Sequence, residues 1–168
     1  MRYVTTPIAS QLTGLSTEKL REWTIRRALI PADVRPKQKG SPAKFSWQTI
    51  LLLRIAVLLR ERFNIELQAH KVLFAQLLHD LRKRSFITLW GQRLILSSDH
   101  WSLIDEVSPL PTGDILLIQL DPHLRVLRDG FALPDSTACG QLDLFSLPSV
   151  HRAVSAGDVS SSSRRRSA

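Results

Sequence analysis

The fold of this chain is decided by residues 5–23, TTPIASQLTGLSTEKLREW. Pro7 suits the first turn of a helix, because its missing N–H would have no partner there. Gly14 can adopt the positive φ angle that ends a helix. Ser16 can accept a hydrogen bond from the first turn of a following helix. The stretch therefore predicts a helix, a tight turn at residues 13–15 and a second helix, which together make a helix-turn-helix.

The two predicted helices divide their side chains between an apolar and a polar face. We expect them to pack on one another through apolar residues, namely Ile8, Ala9 and Leu12 of the first helix and Leu15, Leu20, Trp23 and Ile25 of the second. The exposed positions of the second helix carry a hydroxyl group and cations, namely Thr17, Lys19, Arg21, Arg26 and Arg27. This composition is typical of a helix that lies against DNA, so we predict that these residues bind it.

The length and charge of the chain narrow the class of protein. Its 168 residues allow one ordinary domain, or a small domain with an appendage and a tail. The net charge of +8 favours a polyanionic partner, either a nucleic acid or an acidic membrane surface. The longest apolar run, residues 50–59, is interrupted by Arg54 and falls short of a membrane span. Since the N-terminus also lacks a signal segment, we expect a cytoplasmic, nucleoid-associated protein.

The ionisable residues do not form a pattern typical of catalysis or metal binding. The single cysteine, Cys139, excludes an internal disulfide and a cysteine metal cluster. His70 and His79 are nine positions apart, which does not make a helical metal pair. We predict that the remaining candidates are surface residues in turns, namely Asp99, His100 and His123. The sequence therefore favours a protein that is not an enzyme and needs no cofactor or metal.

A basic loop follows the helix-turn-helix. Residues 31–44, PADVRPKQKGSPAK, hold three prolines and a glycine, which exclude a long helix. We call this segment the wing. Its cations, which we predict contact the phosphate backbone of DNA, are Arg35, Lys37, Lys39 and Lys44. Such contacts make binding sensitive to salt. A solvated loop without function is the alternative.

Two further helices are predicted after the wing. Ser46 can cap the first, whose face is so broadly apolar that we expect burial on most sides, with Arg54, Arg60, Glu61 and Arg62 keeping one edge in water. Asn64 is expected to cap the second, from Ile65 to about Arg84. The apolar stripe of this second helix is typical of core packing, although a helix from a second copy of the chain could also cover it.

Short motifs along this half of the chain match those of a known family: Gly14-Leu15-Ser16, Leu20-Arg21-Glu22-Trp23, Ala28-Leu29-Ile30-Pro31, Lys44-Phe45-Ser46, Leu59-Arg60-Glu61 and Phe63-Asn64-Ile65. Residues 3–81 thus resemble the winged-helix DNA-binding domain of the MerR family of bacterial transcription regulators. The resemblance implies that Thr17, Lys19 and Arg21 lie at the major groove and that residues 35–44 contact the DNA as a wing.

The chain also departs from the pattern of that family. Glu22 replaces a usual aromatic residue, Arg27-Ala28 replaces the usual glycine, and the wing lacks the common Gly-Tyr-Arg sequence. The family normally binds two half-sites as a dimer joined by a long antiparallel coiled coil, but no long heptad run follows Arg84. The resemblance therefore implies a homodimer without showing how it would form. The metal-sensing cysteines of the family are absent, so metal sensing is not expected.

In the second half of the chain, the apolar residues no longer recur at helical spacing. Residues 86–90 and 93–96 flank Gly91-Gln92 and predict a hairpin, and residues 115–120 predict a third strand followed by a short helix at 123–128. The predicted fold is α+β and mainly α: a winged helix-turn-helix domain over residues 1–84, a small β-rich segment over 85–133, a linker over 134–154 and a disordered basic tail over 155–168. Arg164–Arg166 could add weak contacts to nucleic acid.

The linker contains a second candidate binding motif. Residues 141–145, QLDLF, resemble the motif with which bacterial proteins bind the DNA polymerase sliding clamp. Its residues are Gln141, Leu142, Asp143, Leu144 and Phe145. The glutamine would form hydrogen bonds at the rim of a pocket, while the leucines and the phenylalanine would fill an apolar cleft. The alternative is an ordinary amphipathic strand, since short motifs often match by chance.

Three functions are therefore compatible with the sequence. The first is a MerR-like regulator that binds double-stranded DNA, and the second is a replication or repair accessory protein that is recruited to the sliding clamp. The third is an adaptor whose winged helix binds another protein, in which case the chain would not bind DNA at low salt. We expect the first, with recruitment to the clamp as an added hypothesis.

Overall fold

The structure is a computed structural model, and it describes residues 2–36, 41–97 and 100–133. The predictions for Lys37, Lys39, Asp99, Cys139, the linker with residues 141–145 and the tail lie outside these residues. The fold is α+β and mainly α, as predicted. The α-helices are α1 (Thr6–Thr13), α2 (Thr17–Arg21), α3 (Trp47–Phe63), α4 (Lys71–Leu81) and α5 (Asp121–Phe131). The strands are β1 (Val4–Thr5), β2 (Lys44–Phe45), β3 (Gln92–Leu96), β4 (Trp101–Asp105) and β5 (Leu116–Gln119).

The turn between α1 and α2 has the geometry that the sequence predicts. Gly14 takes a left-handed φ of 77°, and its N–H donates to the carbonyl of Ser10 at 3.0 Å. The buried hydroxyl of Thr13 donates to the carbonyl of Ala9 at 2.7 Å. The Ser16 hydroxyl accepts the N–H of Lys19 at 3.2 Å and so caps α2. The predicted helix-turn-helix geometry is confirmed.

Two of the apolar residues predicted to pack these helices together do not do so. Leu15 and Leu20 are buried, but Ile8 and Ile25 are 42% and 47% exposed. Ile8 precedes the buried Ala9 by one position, and adjacent residues on a helix point about 100° apart. Ile25 lies in a π-helical turn, Glu22–Arg26, whose wider winding rotates it away from the face that an α-helix would bury.

Helix α3 forms the centre of the core. Most of its residues are buried, as predicted, and α1, α4 and α5 pack around it. Arg60, Glu61 and Arg62 are exposed, but the expectation for Arg54 is wrong. Its side chain is half-buried and donates from Nη1 to the carbonyl of Leu12. Arg54 thus satisfies one of the free carbonyls near the C-terminus of α1.

Asn64 ends one helix instead of starting the next. It takes a left-handed φ of 53° directly after Phe63, and its N–H donates to the carbonyl of Leu59. Asparagine tolerates this conformation better than most residues, because its short polar side chain can form local hydrogen bonds. The following chain forms a 3₁₀ turn, Leu67–His70, before α4 begins at Lys71. The predicted helix from Ile65 to Arg84 therefore starts later and ends earlier than the spacing of its apolar residues suggests.

The predicted hairpin at Gly91-Gln92 is wrong. Residues 86–90 form a turn around a 3₁₀ segment, Ile87–Leu89, and Phe86 packs edge-on against the rings of Trp47 and Trp90, with centroids at 5.2 and 6.0 Å. Strand β3 pairs instead with β4 and with β5, both antiparallel, in the order β4-β3-β5. The predicted third strand is confirmed as β5. Burial of the Phe86 ring against α3 and Trp90 outweighs the β propensity of its segment.

Helix α5 joins the C-terminal segment to the N-terminal helices. Its buried residues belong to the same core cluster as α1 and α3, namely Leu124, Leu127 and Phe131. One hydrophobic core therefore spans the domain boundary that the sequence predicts at residue 84. The helix is longer than the predicted residues 123–128. It also buries His123, which is 9% exposed, so the prediction that this histidine lies on the surface is wrong.

Candidate nucleic-acid interface

The cations predicted to bind DNA are accessible on α2 and the π-helical turn. The predicted contact residues are all exposed, namely Thr17, Lys19, Arg21, Arg26 and Arg27. One of them already has an acidic neighbour, because Arg27 Nε lies 2.7 Å from Glu22 Oε1. Both side chains are accessible to water, where such a pair contributes little to stability. The pair could therefore separate at low cost if a phosphate competed for the guanidinium group.

The structure brings Arg21 to the wing. Arg21 lines a cleft of about 450 Å³ together with Pro36 and Ser41, which flank the undescribed residues 37–40 of the wing. Thr24 and Ile25 line the same cleft. The C-terminal end of α2 therefore lies beside the described flanks of the wing, which is the placement that a helix and a wing on one duplex would need.

Lys19 and Arg27 face a different cleft. They line a cavity of about 260 Å³ with Arg60, and this cavity also holds the carboxylates of Glu22 and Glu66. Cations and acids are thus mixed on this side of α2. The structure does not place the predicted contact residues on one uniformly basic surface. Of these residues, Arg21 lines the cleft beside the described flanks of the wing.

The base of the wing is held by backbone hydrogen bonds. Val34 and Lys44 form an antiparallel bridge, with N···O distances of 3.2 and 3.0 Å, and Lys44 also pairs with Thr5 of β1. The side chains of Arg35 and Lys44 are exposed at this base. The wing therefore begins and ends at a small antiparallel ladder, which positions these two cations next to the helix-turn-helix.

Asp33, for which the sequence predicts no role, fixes the base of the wing to the core. Its Oδ2 atom accepts the N–H of Ser46 and the hydroxyl of Thr49, both at 2.7 Å. Its Oδ1 atom lies 2.9 Å from Nη2 of Arg82. The carboxylate is thus bound at the N-terminus of α3, where the helix dipole favours negative charge. A single aspartate in a proline-rich loop gives no periodic signal, so the sequence alone could not reveal this role.

The chain leaves the helix-turn-helix through a strained residue. The N–H of Arg27 donates to the carbonyl of Glu22, and Ala28 then takes a positive φ of 44°. The N–H of Leu29 donates back to the carbonyl of Trp23 at 2.8 Å, which closes the turn. Ala28 lies at one of the positions where the resemblance expects glycine, the residue that adopts positive φ without strain.

Other classes of site are absent from the described part of the chain. Within residues 2–36, 41–97 and 100–133, the structure contains no group of three His, Cys, Asp or Glu side chains arranged to hold a metal ion. None of the helices in these residues is both long and apolar enough to cross a lipid bilayer.

A search of the chain against models of known protein families finds no match. No curated protein matches its sequence either. Any function proposed for the chain therefore rests on its own residues and geometry.

Proposed function

We propose that the chain binds double-stranded DNA through α2 and the wing. The observation that carries this proposal is the position of Arg21, an exposed cation at the end of α2 that shares a cleft with both sides of the wing. A helix in the major groove and a wing on the adjacent phosphate backbone need this relative placement. Arg21 would contact the base edges or nearby phosphates, while Arg35 and Lys44 would contact the backbone.

The charge distribution supports the same partner. The chain carries a net charge of +8, which raises the rate of encounter with a polyanion. The one acidic residue at the base of the wing, Asp33, is bound to Ser46, Thr49 and Arg82. Its carboxylate therefore takes little away from the positive potential that Arg35 and Lys44 give to this surface.

Selection of a preferred duplex from a random library, followed by fluorescence anisotropy, tests the proposal. Arg21→Ala should weaken binding to the selected duplex by about 1–3 kcal/mol. Arg125→Ala is the matched control, because Arg125 is exposed on α5 and lines neither cleft beside α2. The proposal is wrong if the wild-type chain binds no duplex at low salt, or if the two variants lose the same affinity.

The resemblance to MerR-type domains gives the biological role that we propose, regulation of transcription. The positive φ of Ala28, at a position where that family uses glycine, supports the resemblance. The backbone there has the conformation that glycine adopts without strain. Such a regulator would bind paired half-sites as a homodimer. In footprinting on the selected duplex, one protected half-site without a symmetric second one would argue against this role.

We propose recruitment to the sliding clamp as a second candidate function. The supporting observation is the sequence of residues 141–145, QLDLF. A pull-down with purified bacterial sliding clamp compares the wild-type chain with a Gln141→Ala, Phe145→Ala double variant. Clamp binding that only the wild type shows would place the protein in replication or repair. If neither chain binds, QLDLF is an ordinary apolar segment.

The adaptor hypothesis also has one structural observation in its favour. Ile25 is 47% exposed and lines the same cleft as Arg21, so this surface offers an apolar contact beside a cation. Interfaces between proteins use such combinations. If Ile25→Ser abolished binding to a protein partner and no duplex bound at low salt, the adaptor would replace the DNA-binding proposal.

A further inference from the structure

A third cleft lies between α3, β5 and the start of α5. Its volume is about 470 Å³, within the range of small-molecule sites in proteins. Part of its wall is hydrocarbon, contributed by Val57, Leu58 and Leu117. The other part is polar and carries positive charge, from Arg54 and Arg62, next to the imidazole of His123. The cleft therefore combines an apolar wall with a basic end.

Two of the residues that line this cleft each have a buried polar atom without a partner among the described residues. His123 is 91% buried, as its 9% exposure shows, and its Nδ1 atom makes no hydrogen bond. The Nε–H of Arg54 is also buried and unpaired, although its Nη1 atom donates to Leu12. A buried polar group without a partner costs about 1–3 kcal/mol, so folded proteins rarely keep one unless something binds it. Arg54 and His123 therefore both have hydrogen-bonding capacity that the described residues do not use.

The electrostatics of the cleft favour an anion. Burial, together with the charges of Arg54 and Arg62, lowers the pKa of His123 to about 4. The imidazole is therefore neutral at pH 7, and a neutral imidazole can donate one N–H. Glu61 is the only acidic residue among those that line the cleft, and it is exposed. Among the described residues that line the cleft, two arginines therefore stand against one carboxylate.

We propose that this cleft binds a small organic carboxylate with an apolar tail. The carboxylate would pair with the guanidinium groups of Arg54 and Arg62 and accept a hydrogen bond from the imidazole of His123. The tail would lie against Val57, Leu58 and Leu117. None of the residues that line this cleft lines the cleft beside Arg21, so the proposal does not rest on DNA binding.

Isothermal titration calorimetry of the full chain at millimolar ligand concentration tests the proposal. The probes are hexanoate and benzoate, their neutral counterparts hexanol and benzyl alcohol, and inorganic phosphate. We expect at least one carboxylate to bind, with an affinity about tenfold above that of its alcohol, and phosphate to bind more weakly because it has no apolar tail. No binding of either carboxylate overturns the proposal. Equal binding of the alcohol, or tighter binding of phosphate, also overturns it.

Variants show whether the ligand occupies this cleft. His123→Leu removes the imidazole donor, and Arg62→Gln removes a charge from an exposed side chain of the cleft. Each should raise the Kd of the carboxylate several-fold. Arg125→Gln is the matched control, since it removes an exposed arginine of α5 outside the cleft. If His123→Leu does not fold, Arg62→Gln still decides the outcome. An unchanged Kd in Arg62→Gln and His123→Leu assigns the ligand to another site and overturns the proposal.

Discussion

Asp33 Oδ2 lies 2.7 Å from the backbone nitrogen of Ser46, at the N-terminus of the central helix α3. The same carboxylate reaches Thr49 and, through Oδ1, Arg82 beyond the end of α4. One side chain of the wing therefore connects three parts of the fold. The side chain of Asp33 is only 9% exposed, so these interactions are largely shielded from water and salt.

Replacement of Asp33 should destabilise the protein. In Asp33→Ala the N–H of Ser46 and the hydroxyl of Thr49 lose their acceptor, and we expect the free energy of unfolding to fall by about 1–3 kcal/mol. Urea denaturation measures this change. Asp114→Ala is the control, because Asp114 is exposed and should change stability by less than about 0.5 kcal/mol. Equal stability of the two variants would show that the Asp33 interactions do not contribute.

Glycine should stabilise the protein at position 28. Ala28 has a positive φ of 44°, which costs an L-residue about 1–2 kcal/mol and costs glycine nothing. Glycine also increases the entropy of the unfolded chain, so we expect Ala28→Gly to stabilise by about 0.5–1 kcal/mol net. Ala9→Gly, in the buried interior of α1, should destabilise instead. Thermal unfolding of both variants tests the difference in sign.

A larger side chain at position 130 should separate α5 from α1. A Cβ atom on Gly130 would lie 2.4 Å from Cδ2 of Leu12, so a β-branched residue cannot fit unless Leu12 moves. We expect Gly130→Val to destabilise by about 1–3 kcal/mol. Leu12→Ala makes space at this contact, so the double variant should lose less stability than the sum of the single variants. Simple additivity in this double-mutant cycle would contradict the close approach of the two helices.

The burial of His123 should make stability depend on pH. Its pKa is about 4 in the folded chain, against 6.5 ordinarily, so the unfolded chain binds the proton more tightly. The free energy of unfolding should therefore fall by about 3 kcal/mol as the pH decreases from 6.5 to 4. Carboxylates also titrate in the lower part of this pH range. The wild type is therefore compared with His123→Gln, which should lose the contribution of His123 to the pH dependence of the free energy of unfolding. His79→Gln removes an exposed histidine and should keep it.

The wing cations should contribute affinity without sequence preference. If Arg35 and Lys44 contact phosphates, the double variant Arg35→Ala, Lys44→Ala should bind selected and random duplexes more weakly by the same factor. The slope of log K against log salt should become shallower by about 0.9 for each lost contact. Anisotropy titrations at several salt concentrations measure both quantities. A loss confined to the selected duplex would mean that the wing reads bases.

The helix-turn-helix could be predicted because its signals are local. Pro7 begins α1, Gly14 ends it with the positive φ that the turn needs, and Ser16 caps α2 through the N–H of Lys19. Each of these effects depends on neighbouring residues alone. The α+β class and strand β5 could also be predicted from local signals, namely the spacing of apolar residues and the turn-forming residues between them.

The tertiary structure decided what depends on distant residues. Phe86 lies in a turn because Trp47 and Trp90 receive its ring, and β3 takes β4 as its neighbour in place of the segment before Gly91. His123 is buried because α5 packs on α3. The sequence by itself determined the helices that have their own start and stop signals, together with the excess of positive charge. Only the folded chain decided which side chains are buried or meet in a cleft, because these depend on contacts between residues far apart in sequence.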